Sequence, residues 1–332
     1  MSTDRINSIR IAKGRPALVL APMEGVTDAP MRALLSEVGG YAFCVSEFFR
    51  ISQDIPYPKA FTIHVPELKN GARTKAGLAV QVQLLGGNPE KLALSALRAI
   101  EAGATGIDLN FGCPAPTVNR NDGGATLLKC PERLEAIVRA VRDAVPAHLP
   151  VSAKLRLGWD DEKEIHINAQ AAARGGAEWL TIHARTKTQG YRPPAHWSFI
   201  GEVRRALDIP VVANGDIWTV DDFKKCREQT ECEHFMLGRS ALADPHLALR
   251  LGKELGLVSH DVSDVIPWAD LIERFVSHAL PYANSPSYAL CRIKQWLRMA
   301  GPQRIARLEY IKSCTTIAQA IEAVRCAEPK AH

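Results

Sequence analysis

One cysteine stands where a proton could be given away. Cys113 follows Asp108-Leu109-Asn110-Phe111-Gly112 and precedes Pro114, and the chain beyond it holds Asn119, Asn121, Asp122, Gly123 and Gly124. A lone cysteine is most often an inert, small apolar side chain. A thiol at a strand end, followed by a long glycine-containing loop, is placed to meet a reactant instead. With an ordinary pKa of about 8.5 it is mostly protonated at neutral pH and can serve as an acid. If Lys154 or His183 lowers that pKa, it becomes a nucleophile. The residues themselves leave both roles open.

Other polar residues fall at comparable places. Ala21-Pro22-Met23-Glu24 and Ser46-Glu47-Phe48-Phe49-Arg50 each follow an apolar run, and Gln81 and Gln83 interrupt another. Lys154-Leu155-Arg156, His183-Ala184-Arg185, Asn214-Gly215-Asp216 and Gly238-Arg239 complete the set. One buried polar residue is ordinary, but one at nearly every apolar run asks for a ligand, because each costs free energy without a partner. Lys154 and Arg156 are expected on opposite sides or layers, one exposed and one paired. His183 alone reads as readily as a satisfied core histidine. Gly215 and Gly238, with Arg239 adjacent, suit close backbone approach to a phosphate-bearing cofactor, although a single glycine there is usually a turn.

These residues sit on a regular alternation. Short apolar runs at 17–21, 42–47, 79–84, 106–110, 151–157, 179–183, 210–213 and 234–237 alternate with amphipathic runs. Near-continuous apolar runs are the pattern of parallel strands buried on both faces. Between them, 89–102 opens with Asn88 as cap and Pro89 in the first helical position. The 131–145 run carries Leu134, Ile137, Val138 and Val141 at helical spacing, and 219–228 begins with Thr219, Asp221 and Asp222. Eight strands in this rhythm predict an α/β fold, a (β/α)8 TIM barrel. An open doubly wound sheet is the alternative, weakened because no G-x-G-x-x-G follows the first strand. Barrel sites form after strand C-termini, where all these polar residues fall, and the long connections 48–77 and 113–130 open on the same side.

After about Leu255 the strands stop. Helices are expected at 268–282, 287–299, 304–314 and 316–327. The organisation read from this is an N-terminal extension at 1–16, expected to lack order, a barrel at 17–255 and a small C-terminal all-helical domain at 256–332. In the stretch 292–312, Arg292, Lys294, Arg298, Arg304, Arg307 and Lys312 face a single acid, Glu309, so its local charge equals the +5 of the whole chain. Gln295, Trp296 and Tyr310 lie among them. Cations with interleaved aromatics suit a nucleic acid, although a solvated helix face with Trp296 in the core is the plainer reading.

Composition narrows the class. The chain has 46% hydrophobic residues, enough for a large core, and its mild positive charge is a weak hint of a polyanionic partner. The eight cysteines show no C-x2-C pair and no metal-ligand spacing, so reduced thiols, a cytoplasmic setting and no metal are expected. No secretory signal is evident at the N-terminus, and no apolar run is long enough to span a membrane.

Taken together, Ala21-Pro22-Met23-Glu24-Gly25-Val26-Thr27-Asp28, Val82-Gln83-Leu84-Leu85-Gly86, Asp108-Leu109-Asn110-Phe111-Gly112-Cys113-Pro114, Lys154-Leu155-Arg156-Leu157-Gly158-Trp159, His183-Ala184-Arg185-Thr186 and Asn214-Gly215-Asp216 resemble the tRNA-dihydrouridine synthases. The resemblance runs through essentially the whole chain in the family's order. Arg292-Ile293-Lys294-Gln295-Trp296-Leu297 resembles the bacterial branch that acts on U16 of the tRNA D-loop. It implies a bound FMN reduced by NADPH, hydride delivery to C6 of uracil, and Cys113 as the acid that protonates C5. The implied FMN residues are Ala21, Pro22 and Met23 with Glu24 nearby, Gln83, Lys154, His183, Asn214, Gly215, Asp216, Gly238 and Arg239. Asn110 and Tyr191 would meet the uridine, and Arg50, Arg292, Lys294 and Arg298 the tRNA. A monomer is expected. Phe111 departs from the family pattern, where a smaller residue is common, and bears on pocket shape. Two other readings are a dihydroorotate-dehydrogenase-like barrel acting on a free pyrimidine, and a non-catalytic tRNA-binding protein.

Overall fold

The computed structural model describes residues 9–258, 265–282, 286–300 and 308–326. Eight parallel strands close into a barrel in chain order: β1 (Ala17–Leu20), β2 (Phe43–Arg50), β3 (Ala79–Leu85), β4 (Ile107–Asn110), β5 (Val151–Arg156), β6 (Leu180–His183), β7 (Val211–Asn214) and β8 (His234–Leu237). The open-sheet alternative is excluded, because β1 pairs with both β2 and β8. All eight expected strands are present, and the period of two explains their composition. On β1, Leu18 and Leu20 join the core shared with the surrounding helices, while Ala17 and Val19 point inward with Phe43, Val45, Val212 and Met236.

Ile9 and Ile11 belong to that same interior cluster, at 3% and 8% exposure, with Phe43 and Trp179. The expectation of an unordered N-terminal extension is therefore corrected from Ile9 onward. Two isoleucines fill the otherwise open end of the barrel away from the mouth, and a bridge between Ala12 and Arg15 turns the chain into β1. Residues 1–8 lie outside the described residues.

The helix starts follow their caps. Asn88 accepts from the Lys91 N–H ahead of Pro89–Glu101, and Thr219 forms a capping box with Asp222 ahead of Val220–Thr230. The long 48–77 connection is more ordered than its prolines suggest. It contains the helix Pro58–His64 and a 3-10 turn, Pro66–Asn70. A buried bidentate pair ties that turn to the helix Ala29–Val38: Arg32 Nε and Nη2 each donate to Glu67 at 2.8 Å.

The C-terminal helices pack onto the barrel through a continuous apolar core. Leu271, Phe275, Ile293 and Trp296 are buried in the same cluster as Leu34 and Leu242. Trp296 Nε1 donates to the Leu242 carbonyl at 3.0 Å, so this tryptophan is a core residue. Among the described residues no helix is long and apolar enough to cross a membrane.

Candidate active site

Strand register brings the polar ends together. Gln83 aligns with Asp108, Asn110 with Lys154, Arg156 with His183, and His183 with Asn214. The result is one cavity of about 570 Å³ at the C-terminal mouth, within the roughly 300–1,000 Å³ typical of cofactor sites. Cys113, Asn110, Tyr191 and all eleven residues expected around FMN line it.

The wall after β1 is held from within. Thr27 Oγ1 accepts from the Met23 N–H at 2.7 Å and lies 3.3 Å from the Ala21 carbonyl, pinning Ala21 to Met23 across the cavity edge. Glu24 sits beside them, its carboxyl pushed up by burial and by the nearby charge of Glu47.

Cys113 is half-buried. Burial pushes its thiol pKa up, and the charges that act on it are Glu24, Arg156 and Arg50 rather than His183 or Lys154. A thiol whose pKa is raised is a poorer nucleophile and keeps a proton to donate. Arg156 reinforces the position by donating to the Gly112 carbonyl at 2.9 Å and to the Thr186 and Gly190 carbonyls at 3.0 and 2.8 Å. It thereby joins the cysteine loop to the loop that carries Tyr191.

Lys154 and Arg156 do not face opposite sides. Second neighbours on a strand share a face, and both line the cavity. Burial, with Arg156 adding to it, lowers the Lys154 ammonium to about 8, and its Nζ lies 3.2 Å from Asn214 Oδ1. His183 is held well below its usual range by burial and by Arg156, Lys154, Arg185 and Arg239. It is neutral, and its Nδ1 has no hydrogen-bond partner among the described residues. An unmet ring nitrogen and a desolvated lysine in one wall fit an anionic or carbonyl-bearing cofactor.

Asp216, at φ +51°, is gripped by Arg185 and by Arg239, the latter at 3.2 Å. Its charge is satisfied by these two arginines. Arg239 also lies 4.8 Å from the Tyr191 ring centroid and 5.2 Å from that of Trp218. Trp218 and Met299 line the cavity and were not anticipated. Trp218 carries no pattern beyond following Asp216, and Met299 comes from the distant helix Pro286–Ala300. Phe111, at 1% exposure, packs into the core and does not shape the cavity.

The expected tRNA cations diverge. Arg50 is exposed in a recess beside the main cavity, sharing Glu24, Phe48 and Ala115 with it. Arg298 is exposed, and Lys294 is half-buried with Nζ 2.9 Å from the Lys312 carbonyl. Arg292 differs from an exposed phosphate contact. At 9% exposure it donates to Asp28 Oδ2 at 3.0 Å, the Gly25 carbonyl at 2.8 Å and the Val26 carbonyl at 2.7 Å. It clasps the C-terminal helix to the β1 wall. Arg304, Arg307 and the side chain of Tyr310 lie outside the described residues.

A closed (β/α)8 barrel with a desolvated lysine, a buried histidine and a half-buried thiol around one mouth defines a barrel enzyme built for a bound cofactor. A model of the dihydrouridine synthase family matches residues 19–297, and the chain belongs to that family. It is 48% identical over 286 residues to the tRNA-dihydrouridine(16) synthase of Pseudomonas putida, covering 85% of this chain and 87% of that one. It is 42% identical over 313 residues to the protein of the same name from Neisseria meningitidis serogroup B, covering 93% of each. Among solved structures, histamine dehydrogenase from Rhizobium sp. 4-9 shares the fold, at TM-score 0.57 and 15% identity, over 82% of this chain and 50% of that one. Family membership sets aside the free-pyrimidine and non-catalytic readings.

Proposed function

We propose that this chain reduces the C5–C6 double bond of a D-loop uridine in tRNA, U16, to 5,6-dihydrouridine, with FMN as its bound cofactor and NADPH as the reductant. FMN, when bound, supplies the hydride chemistry. Ala21, Pro22, Met23, Gln83, Lys154, His183, Asn214, Gly215, Asp216, Gly238 and Arg239 hold it. The unmet His183 nitrogen and the desolvated Lys154 beside it support this assignment.

Cys113 gives its thiol proton to C5 of the uracil, and the thiolate left behind is reprotonated from solvent. Asn110 and Tyr191 orient the base. A base in a folded tRNA must leave its stack to reach this mouth. Arg50, Lys294 and Arg298 meet the tRNA backbone, while Arg292 acts through its clasp on the β1 wall. The barrel, 17–255, carries the chemistry, and the helical part, 256–332, carries the tRNA. The protein works as a cytoplasmic monomer.

The observation that carries this reading is Cys113, its thiol kept protonated, lining the same cavity as Lys154 and His183. The experiment is turnover of a tRNA transcript by the FMN-loaded protein with NADPH, read as dihydrouridine by mass spectrometry. Dihydrouridine in the transcript is expected. Protein that takes up no FMN, or that reduces free uracil and leaves tRNA untouched, contradicts the reading.

A further inference from the structure

Asn110 has both ends of its side chain committed. Its Oδ1 accepts from the backbone N–H groups of Gly112 at 3.0 Å and Cys113 at 2.9 Å. A backbone N–H only donates, so the amide has one possible orientation. Asn110 Nδ2 donates to Gln83 Oε1 at 2.8 Å, and Gln83 Nε2 donates to Asp108 Oδ2 at 2.7 Å. Asp108 is 2% exposed, and Ser152 Oγ donates to its other oxygen at 2.5 Å. Ser152 Oγ itself accepts from Gln81 Nε2 at 3.0 Å, which leaves its own hydrogen for Asp108.

The relay has one direction. Each amide gives an N–H toward Asp108 and takes one from the side of Cys113. Turning either amide over would set N–H against N–H or oxygen against oxygen in a buried site, where unmet groups are costly. Burial pushes the Asp108 carboxyl up, against the hydrogen bonds from Gln83 and Ser152 and the charge of Lys154. The direction survives either protonation state, since Oδ2 accepts from Gln83 in both. Asp108 itself does not line the cavity, whereas Gln83 and Asn110 do.

We propose that Asp108 is a positioning residue: through Gln83 and Asn110 it fixes which ends of two cavity amides face the ligand and holds the backbone of Cys113 in place. Each amide has one N–H outside the relay, so a ligand atom that meets either nitrogen is an acceptor, such as a ring carbonyl oxygen. The proposal rests on the reading above only in taking Cys113 as the acid.

The test compares Asp108→Ala, Asp108→Asn and Gln83→Ala in the full chain by two readouts. One is the rate at which iodoacetamide alkylates Cys113, followed on its own peptide. The other is the split between kcat and KM for tRNA. Asp108→Ala is expected to speed alkylation several-fold (about threefold or more) and to lower kcat on the order of 10²-fold with KM nearly unchanged, as for a misplaced catalytic group. The amide oxygen introduced by Asp108→Asn can still accept from Gln83, so that variant recovers most of both. A folded Asp108→Ala protein with normal alkylation and kcat overturns the proposal, as does an Asp108→Asn protein no better than Asp108→Ala. If Asp108→Ala does not fold, Gln83→Ala cuts the same relay one step later, and unchanged alkylation there overturns it. An active Cys113→Ala enzyme would remove the acid reading, while the alkylation comparison would still judge the relay.

Discussion

Gly124 folds back against Cys113 so closely that a β-carbon there would lie 2.8 Å from the Cys113 carbonyl oxygen and 3.0 Å from the Cys113 β-carbon. The Ala125 N–H donates to that carbonyl at 3.1 Å, and Gly124 itself has φ +60°. The turn that returns the 113–130 loop is thus packed on Cys113. Gly124→Ala is expected to destabilise the protein by about 1–3 kcal/mol, through strain and overpacking, and to lower kcat through displacement of Cys113. Urea unfolding and steady-state turnover check the two effects.

Cys113→Ala should retain FMN and tRNA binding and lose about 10²–10⁴-fold in kcat, the range of general acid catalysis. Because burial raises the thiol pKa, the acid form persists as pH rises. In the tRNA-saturated enzyme kcat should therefore stay level through neutrality and decline only above the ordinary thiol value of about 8.5. A decline beginning near neutrality would mean another group limits the step.

Lys154 carries a cost in the cofactor-free protein. Its folded pKa, about 8, lies below the ordinary value of 10.5, so the folded state binds fewer protons than the unfolded one between those values. Stability linked to Lys154 therefore rises with pH across that window, and below it the buried charge is unfavourable. Lys154→Met should stabilise cofactor-free protein at neutral pH by on the order of 1–3 kcal/mol. The same change should weaken FMN retention. Denaturant unfolding of the stripped protein, together with flavin content after purification, measures both.

Arg292 and Arg298 should behave differently although both are cations of one helix. Arg292→Ala breaks three bonds to the β1 wall and leaves Asp28 without its cation, at an expected cost of about 2–4 kcal/mol. Its effect on the salt dependence of tRNA binding should be slight. Arg298→Ala should leave stability unchanged and reduce the salt slope by about one counterion. A salt slope changed by Arg292→Ala alone would return Arg292 to the phosphate backbone.

The barrel was legible because parallel strands buried on both faces read as plain apolar runs, and β8 is found where its run lies. The site was legible because polar residues such as Gln83 and Lys154 interrupt those runs and line one mouth, whereas Gln81, an interruption of the same kind, is satisfied inside the barrel by the Ile107 carbonyl and Ser152. What escaped was set by tertiary distance. Met299 reaches the cavity from eighty-one positions beyond Trp218, with no local mark on either. Arg292 looks like an exposed cation until Asp28 and two carbonyls are brought to it. Ile9 and Ile11 are too few to form an element, and only the open end of the barrel gives them a place.

The most direct test is to map dihydrouridine, position by position along the D-loop, in tRNA from cells lacking this gene and from the same cells with the gene restored. Loss confined to position 16, restored by the intact gene and not by one encoding Cys113→Ala, is the predicted result. Unchanged dihydrouridine at position 16 in the absence of the gene, or full restoration by the Cys113→Ala protein, would contradict the account.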